Sequence, residues 1–127
     1  PFNEELIIDI DEDVKKQLKD NGTCEKGFIL HKRLKGDKYD KDFVVNLLDD
    51  KNNIHLQMEI KSNLKHLIFT SYKDGNKGIN EIYTSNNFPL VFGGNMKVII
   101  EINSHFFYIK FNGLFVSILC WEKVGTE

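Results

Sequence analysis

Ile54-His55-Leu56-Gln57-Met58-Glu59-Ile60 alternates without a break: Ile54, Leu56, Met58 and Ile60 take one side, His55, Gln57 and Glu59 the other. A strand sends successive side chains to opposite faces, whereas a helix would interleave the two sets. The stretch therefore predicts a strand with one face on a core and one in water. Its neighbours repeat the theme. Phe43-Val44-Val45-Asn46-Leu47-Leu48 is β-branched and apolar and runs into a turn at Asp49-Asp50-Lys51-Asn52-Asn53. Leu67-Ile68-Phe69-Thr70-Ser71-Tyr72 precedes the turn-rich Lys73-Asp74-Gly75-Asn76-Lys77-Gly78.

Toward the C-terminus, Phe88-Pro89-Leu90 leads into Gly93-Gly94, and Met96 to Ile102 reads as a strand. Asn103-Ser104 supplies a hairpin turn before Phe106-Phe107-Tyr108-Ile109-Lys110-Phe111. Phe107, Ile109 and Phe111 form one face of that strand, and Phe106, Tyr108 and Lys110 the other. Asn112-Gly113 is the strongest short hairpin signal, because both residues tolerate positive φ, and Leu114 to Trp121 is the returning strand. Toward the N-terminus, Leu6 to Ile10 is strand-like. Asp11 to Asp20 fits one short helix with Val14 and Leu18 on one side and acids in its first turn. Short strands at near-regular spacing argue for a sandwich or a barrel.

The length of 127 residues suits one domain, 1–127, in which residues 1–26 form a lead carrying the helix at 11–20. A net charge of −2 sets up no field for nucleic acid, and the charged run Asp37-Lys38-Tyr39-Asp40-Lys41-Asp42 reads as a solvated surface. The interleaved aromatics of Phe106 to Phe111 are better explained by one core face and one half-exposed face than by a stacking platform for bases. No apolar run reaches the roughly 18–20 residues of a membrane span. With no basic and apolar leader after Pro1-Phe2, the expected compartment is the cytoplasm, or the exterior by a route without a signal peptide. Cys24 and Cys120 form no CxxC pair; two free thiols or one bridge are the alternatives. Asn21-Gly22-Thr23 fits a glycosylation acceptor, which matters only in the secretory pathway.

Enzyme signatures are missing. The chain has no glycine-rich phosphate loop, no G-x-S-x-G elbow and no H-E-x-x-H pair. His31, His55, His66 and His105 are scattered and do not cluster with the cysteines at zinc spacing. Asp9, Asp11 and Asp13 alternate as in a calcium loop, but the glycine and closing glutamate are not at the required offsets. The expectation is a binding module with no catalysis, metal or cofactor.

The order of motifs carries a family likeness. Phe43-Val44-Val45-Asn46-Leu47 followed by Asn53-Ile54-His55-Leu56 resembles the galectin sequence in which an F-x-V-N-L strand precedes an I-x-L-H-F strand. Phe88-Pro89-Leu90, Gly93 or Gly94, Val98-Ile99-Ile100, Phe107-Tyr108-Ile109 and Phe111-Asn112-Gly113 are similar to the family's F-P-F…G…I…F-x-V-x-x-N-G stretch. The likeness spans roughly Gly27 to Phe115 and is carried mostly by framework residues. It implies an all-β, two-sheet antiparallel jelly-roll sandwich that binds a glycan on its concave face without metal.

In the family that face is built from an H-x-N-x-R strand, an Asn on the next strand, and a W-G-x-E-x-R loop and strand. Transferred onto this chain, His55 matches the histidine, Gln57 stands for the Asn and Glu59 for the Arg. Thr70 replaces the next-strand Asn, Lys77 the Trp, Asn80 the Glu and Ile82 the Arg. A slip of one residue would recover the Glu at Glu81. The resemblance thus implies a strongly altered β-galactoside site at His55, Gln57, Glu59, Thr70, Lys77, Asn80 and Glu81; a shallow polar groove walled by Tyr72 or Tyr83 would favour that reading. A lost stacking partner costs ~1–3 kcal/mol if sugar–aromatic contacts behave as base–aromatic ones do, so ordinary lactose binding is not expected. The expected partner is a glycan or glycoprotein, not necessarily a galactoside. A protein partner on a scaffold that has lost sugar, and a small barrel carrying a hydrophobic ligand, are the alternatives. Exposed sheet edges leave room for a homodimer. Galectins continue past the N-G hairpin through another pair of strands, and the N-terminal lead is a source for one of them.

Overall fold

The computed structural model describes residues 4–31, 43–61, 66–84, 95–111 and 114–120. The period-two segments become strands that fall into two sheets. The first contains β1 (Glu4–Asp9), β3 (Phe43–Leu48), β4 (Ile54–Lys61), β5 (His66–Lys73) and β6 (Asn76–Thr84), in the order β1-β3-β4-β5-β6. The second contains β2 (Thr23–His31), β7 (Asn95–Asn103), β8 (Phe106–Phe111) and β9 (Leu114–Cys120), in the order β2-β7-β8-β9. The sheets are separate, as in a sandwich, and do not close into one barrel among the described residues.

Alternation decides what the sheets enclose. Val45, Leu47, Leu56, Met58, Ile60, Leu67 and Phe69 from the first sheet meet Val98, Ile100, Ile102, Phe107, Ile109 and Phe111 from the second in one buried cluster. Each fully buried side chain of this size contributes about 1.5–3 kcal/mol through removal from water. Phe107, Ile109 and Phe111 lie inside as their spacing predicts, while Phe106 stays part-exposed and meets Tyr108 edge-on.

The N-terminal lead supplies β1, which enters the first sheet at its edge beside β3. Its pairing with β3 is parallel, and every other strand pair among the described residues is antiparallel, as expected of the sandwich. A parallel neighbour needs a crossover, and α1 (Glu12–Asn21) lies in that connection. Asp11 caps it by accepting a hydrogen bond from the Val14 N–H at 3.0 Å, and this bond is the main reason its carboxyl is held below the usual carboxylate range. Gly22 ends the helix at φ 79° and donates to the Leu18 carbonyl. Val14 is buried in the core and Leu18 packs against it, so the predicted helix face is the one used.

Cys24 is a free, buried thiol, and burial pushes its pKa up. Its strand β2 and the Cys120 strand β9 lie at opposite edges of one sheet, about 14 Å apart at three strand spacings. A disulfide tolerates only about 7 Å between Cα atoms, which removes the bridge alternative. Phe88-Pro89-Leu90, Gly93-Gly94, Asn112-Gly113 and Trp121 lie outside the described residues. Phe111 nevertheless pairs with Leu114, as a two-residue hairpin demands.

Candidate functional site

The side of the first sheet turned away from the core is where the sequence places every polar candidate, and strand register sorts them. Antiparallel partners lie on the same face, so Gln57↔Thr70 and Thr70↔Asn80 form one row across β4, β5 and β6. Asn46 of β3, opposite Gln57, extends it, and Ile7 of β1 ends it. At one strand spacing per step, Gln57 to Asn80 spans about 10 Å. The Thr70 hydroxyl donates to Gln57 Oε1 at 3.2 Å, which holds the amide in a fixed orientation.

The next row runs Glu5, Val44, Glu59, Ile68, Ile82. Glu59 accepts an ion pair from Lys61 at 3.1 Å, two residues along the same strand and therefore on the same face. Lys61 is a member of the site that the position-by-position transfer passed over; counting in twos from Gln57 through Glu59 was the signal for it. Ile82, 61% exposed, stands beside Ile68 as an aliphatic patch.

Two bulges separate this middle region, where Asn46 and Thr70 are 5% and 7% exposed and Gln57 is part-buried, from the hairpin end of the sheet. Leu47 pairs with Leu56 but Leu48 with Ile54, and Ile54 pairs with Tyr72 but Gln57 with Thr70. An extra residue is thus inserted into β4 around His55. The consequence overturns a simple alternation: His55 and Leu56 are consecutive and both buried, and His55 is only 8% exposed. The second shift matches Thr70 with Asn80 but Tyr72 with Lys77, placing an extra residue in β6. Tyr72 and Lys77 therefore share a row, with Tyr72 half-buried; the side chain of Tyr83 lies outside the described residues.

His55 is not a solvent-facing histidine. Its Nε2 lies 2.8 Å from Asp49 Oδ2 at the start of the β3–β4 turn. The same carboxylate accepts from the Asn53 side chain at 3.1 Å and from the backbone N–H groups of Lys51 and Asn53 at 2.8 and 3.0 Å. Partial burial alone would raise the Asp49 pKa. The bonds from His55, from the Asn53 side chain and from the two backbone groups outweigh it and hold the carboxyl far below the usual carboxylate range. Asn52, at φ 62°, completes the turn in a left-handed conformation that asparagine tolerates. Asn53 Oδ1 in turn accepts from the Asp74 N–H at 3.2 Å. Asp74 and Gly75, at φ 51° and 80°, form a hairpin turn with positive φ at both central residues. His55 thus belongs to a clamp joining two turns.

Glu81 leaves the group as well. It pairs with Phe69, whose side chain is in the core, so it projects from the opposite face to Asn80. The unslipped register, with Asn80 on the face, is the one the strand adopts. The structure therefore brings together Gln57, Glu59, Thr70 and Asn80, sets Lys77 one row beyond them, ties His55 into a turn and turns Glu81 away. Among the described residues no group of three His, Cys, Asp or Glu side chains could hold a metal ion, and no helix is long and apolar enough to cross a membrane.

No family model matches the sequence, and no curated protein matches it by sequence. Solved structures do match in fold. Sheep galectin-11, in a complex with glycerol, is similar with a TM-score of 0.54 at 10% identity, over 79% of this chain and 75% of that one. Two ancestral congerins are similar with TM-scores of 0.54 and 0.55 at 18% and 17% identity, over 79% of this chain and 73% and 72% of theirs. Likeness at such identity establishes a galectin-like sandwich and leaves the site to be argued from this chain's own residues.

Proposed function

We propose that the outer face of the five-stranded sheet binds a glycan, without metal and without catalysis, at a strongly altered galectin-type site. The observation that carries this reading is the row Asn46, Gln57, Thr70, Asn80: amide and hydroxyl groups on four adjacent strands, on the face opposite the core. Sugar hydroxyls need donors and acceptors fixed in place, and neighbouring strands fix them at regular intervals. The Thr70–Gln57 bond adds to that order, because an oriented amide loses less freedom when a ligand arrives.

The resemblance sharpens on this register. Laying I-x-L-H-F on Ile54 to Met58 puts the family's histidine at Gln57, so H-x-N-x-R runs through Gln57, Glu59 and Lys61. Lys61 then keeps the arginine's charge, which a match through His55 reverses at Glu59. Ile68 and Ile82 offer the apolar contact that a tryptophan would give, with less specific stacking. The centre of the site is Gln57, Thr70 and Asn80, flanked by Glu59, Lys61 and Lys77. His55 acts through the turn it holds, and Glu81 has no part.

The test is a broad glycan array probed with the whole chain, followed by titration of any hit. Saturable binding that Gln57→Ala and Thr70→Val both weaken supports the reading. A folded protein that leaves the array blank would overturn it. One observation favours a second reading, a protein-interaction face: Ile7 and Ile82, 50% and 61% exposed, lie on this same face near its two edges. Capture of a protein partner that Ile82→Asp abolishes, with no glycan bound, would select it.

A further inference from the structure

We propose that the edge of β2 away from β7 pairs with the β2 of a second copy of this chain, antiparallel and around a two-fold axis through Phe28. The inference concerns the four-stranded sheet and stands apart from the glycan reading. The observation that carries it is Gly27. A glycine in the middle of a strand weakens it, and it usually marks a bulge or the close approach of another backbone or a ligand. Among the described residues Gly27 has neither cause. The pairing of β2 with β7 runs unbroken from Thr23 to His31, and the Gly27 φ is not positive. A Cβ there would meet the Val98 carbonyl oxygen at 3.6 Å and Ile99 Cγ1 at 3.8 Å, both ordinary contacts. The strand nevertheless leaves this position bare and exposed.

Two places along the strand, Ile29 is 59% exposed on the same face. β2 borders β7 on one side, and among the described residues no strand borders it on the other. Its outward N–H and C=O groups therefore form a template for another strand. Pairing around Phe28 sets Ile29 of each copy opposite Gly27 of the other, beside the partner's half-buried Ile99. Knob and notch lie on one strand, so a single two-fold operation fills both notches, as an isologous interface requires. A different protein would need a glycine and an apolar residue at the same spacing; a second copy carries them by identity. Phe28, half-buried on the inner side and stacked with Phe43 at 6.4 Å, meets its own copy at the axis. Lys26 also takes the inner side, where its charge acts on Asp11, so no cation stands on the outer side between Glu25 and Ile29. The two Glu25 side chains, and the helices that lead into Thr23, fall at opposite ends of the paired segment, which keeps like charges and bulk apart.

Sedimentation equilibrium of the whole chain is the experiment. The mass should rise with concentration from 14.8 kDa toward twice that value. The midpoint should lie on the order of 1–100 μM, as suits a small edge-to-edge interface. Amide exchange at residues 25–31 should slow over the same range. Gly27→Thr should weaken association by about tenfold or more, yet raise the melting temperature of the dilute, monomeric chain, because threonine suits a strand better than glycine. A glycine kept for its own fold would do the opposite. Ile29→Lys should weaken association as much and leave the melting temperature of the monomer unchanged. A chain that stays at 14.8 kDa at every concentration up to about 0.5 mM overturns the proposal. A dimer that survives both substitutions places the contact elsewhere and overturns it too. So does a Gly27→Thr chain that melts lower than the native one while Ile29→Lys still pairs.

Discussion

Two ends of one strand make opposite uses of their polar side chains. At the start of β4, His55 is drawn into a turn by Asp49, whose carboxylate also accepts three bonds from Asn53 and Lys51. Two residues later, Gln57 lies part-buried in an ordered row between Asn46 and Thr70, on the side of the sheet away from the core. A bulge separates the two regimes. Residue type alone would name the histidine as the functional group and the glutamine as filler; in the function proposed above the glutamine is at the centre of the site and the histidine holds the turn. A side chain bonded into a turn stabilises the fold, and one held in a row on the outer face is placed to meet a ligand.

The comparison can be broken first at Asp49. Asp49→Ala removes the acceptor of four hydrogen bonds and is expected to destabilise the chain by roughly 2–4 kcal/mol, read as a shift in denaturant midpoint at unchanged m-value. An unchanged midpoint would show that the clamp is ornamental. His55→Ala should follow, at about 1–3 kcal/mol, with any change in glycan affinity recovered by added stability; a loss of binding at full stability would return His55 to the site.

Acid gives a third reading of the same clamp. The Asp49 pKa is lower folded than unfolded, so the group adds stability above its unfolded value of about 3.9 and loses it as pH falls below that value toward the folded one. The stability difference between the chain and Asp49→Asn should therefore narrow below about pH 4. A difference that widens in acid would contradict the sign of the shift.

On the outer face, Gln57→Ala and Thr70→Val should each cost about tenfold in glycan affinity while changing stability by less than about 1 kcal/mol, the reverse of His55→Ala. The smallest effect belongs to Glu81→Gln, which should leave affinity unchanged within error, since the side chain leaves from the other face. A measurable loss there would mean that β6 binds its ligand in the slipped register.

Much of this is legible in the sequence. The alternation through Leu56, Met58 and Ile60 and the spacing of Phe107, Ile109 and Phe111 named the core, because burial on a pleated strand repeats every two residues. Asp11 and Gly22 fixed the helix ends through capping chemistry that acts within a few residues. Local rules of this kind are written into consecutive positions. The two bulges were not legible. An extra residue near His55 or Gly78 leaves no mark in composition, since what defines it is a count against the partner strand.

The same distinction holds for the chain as a whole. The sequence by itself determined that there would be two faces to each strand, which apolar residues would build the core between the sheets, and where the chain would turn. Only the tertiary structure decided that β1 lies parallel to β3, that Asn80 and not Glu81 joins Thr70, and that Glu5 comes beside Asn46 from 41 positions away. Period two sets a side chain's face from its neighbours alone; register and pairing depend on which strands collapse together, and long-range contact enforces that choice.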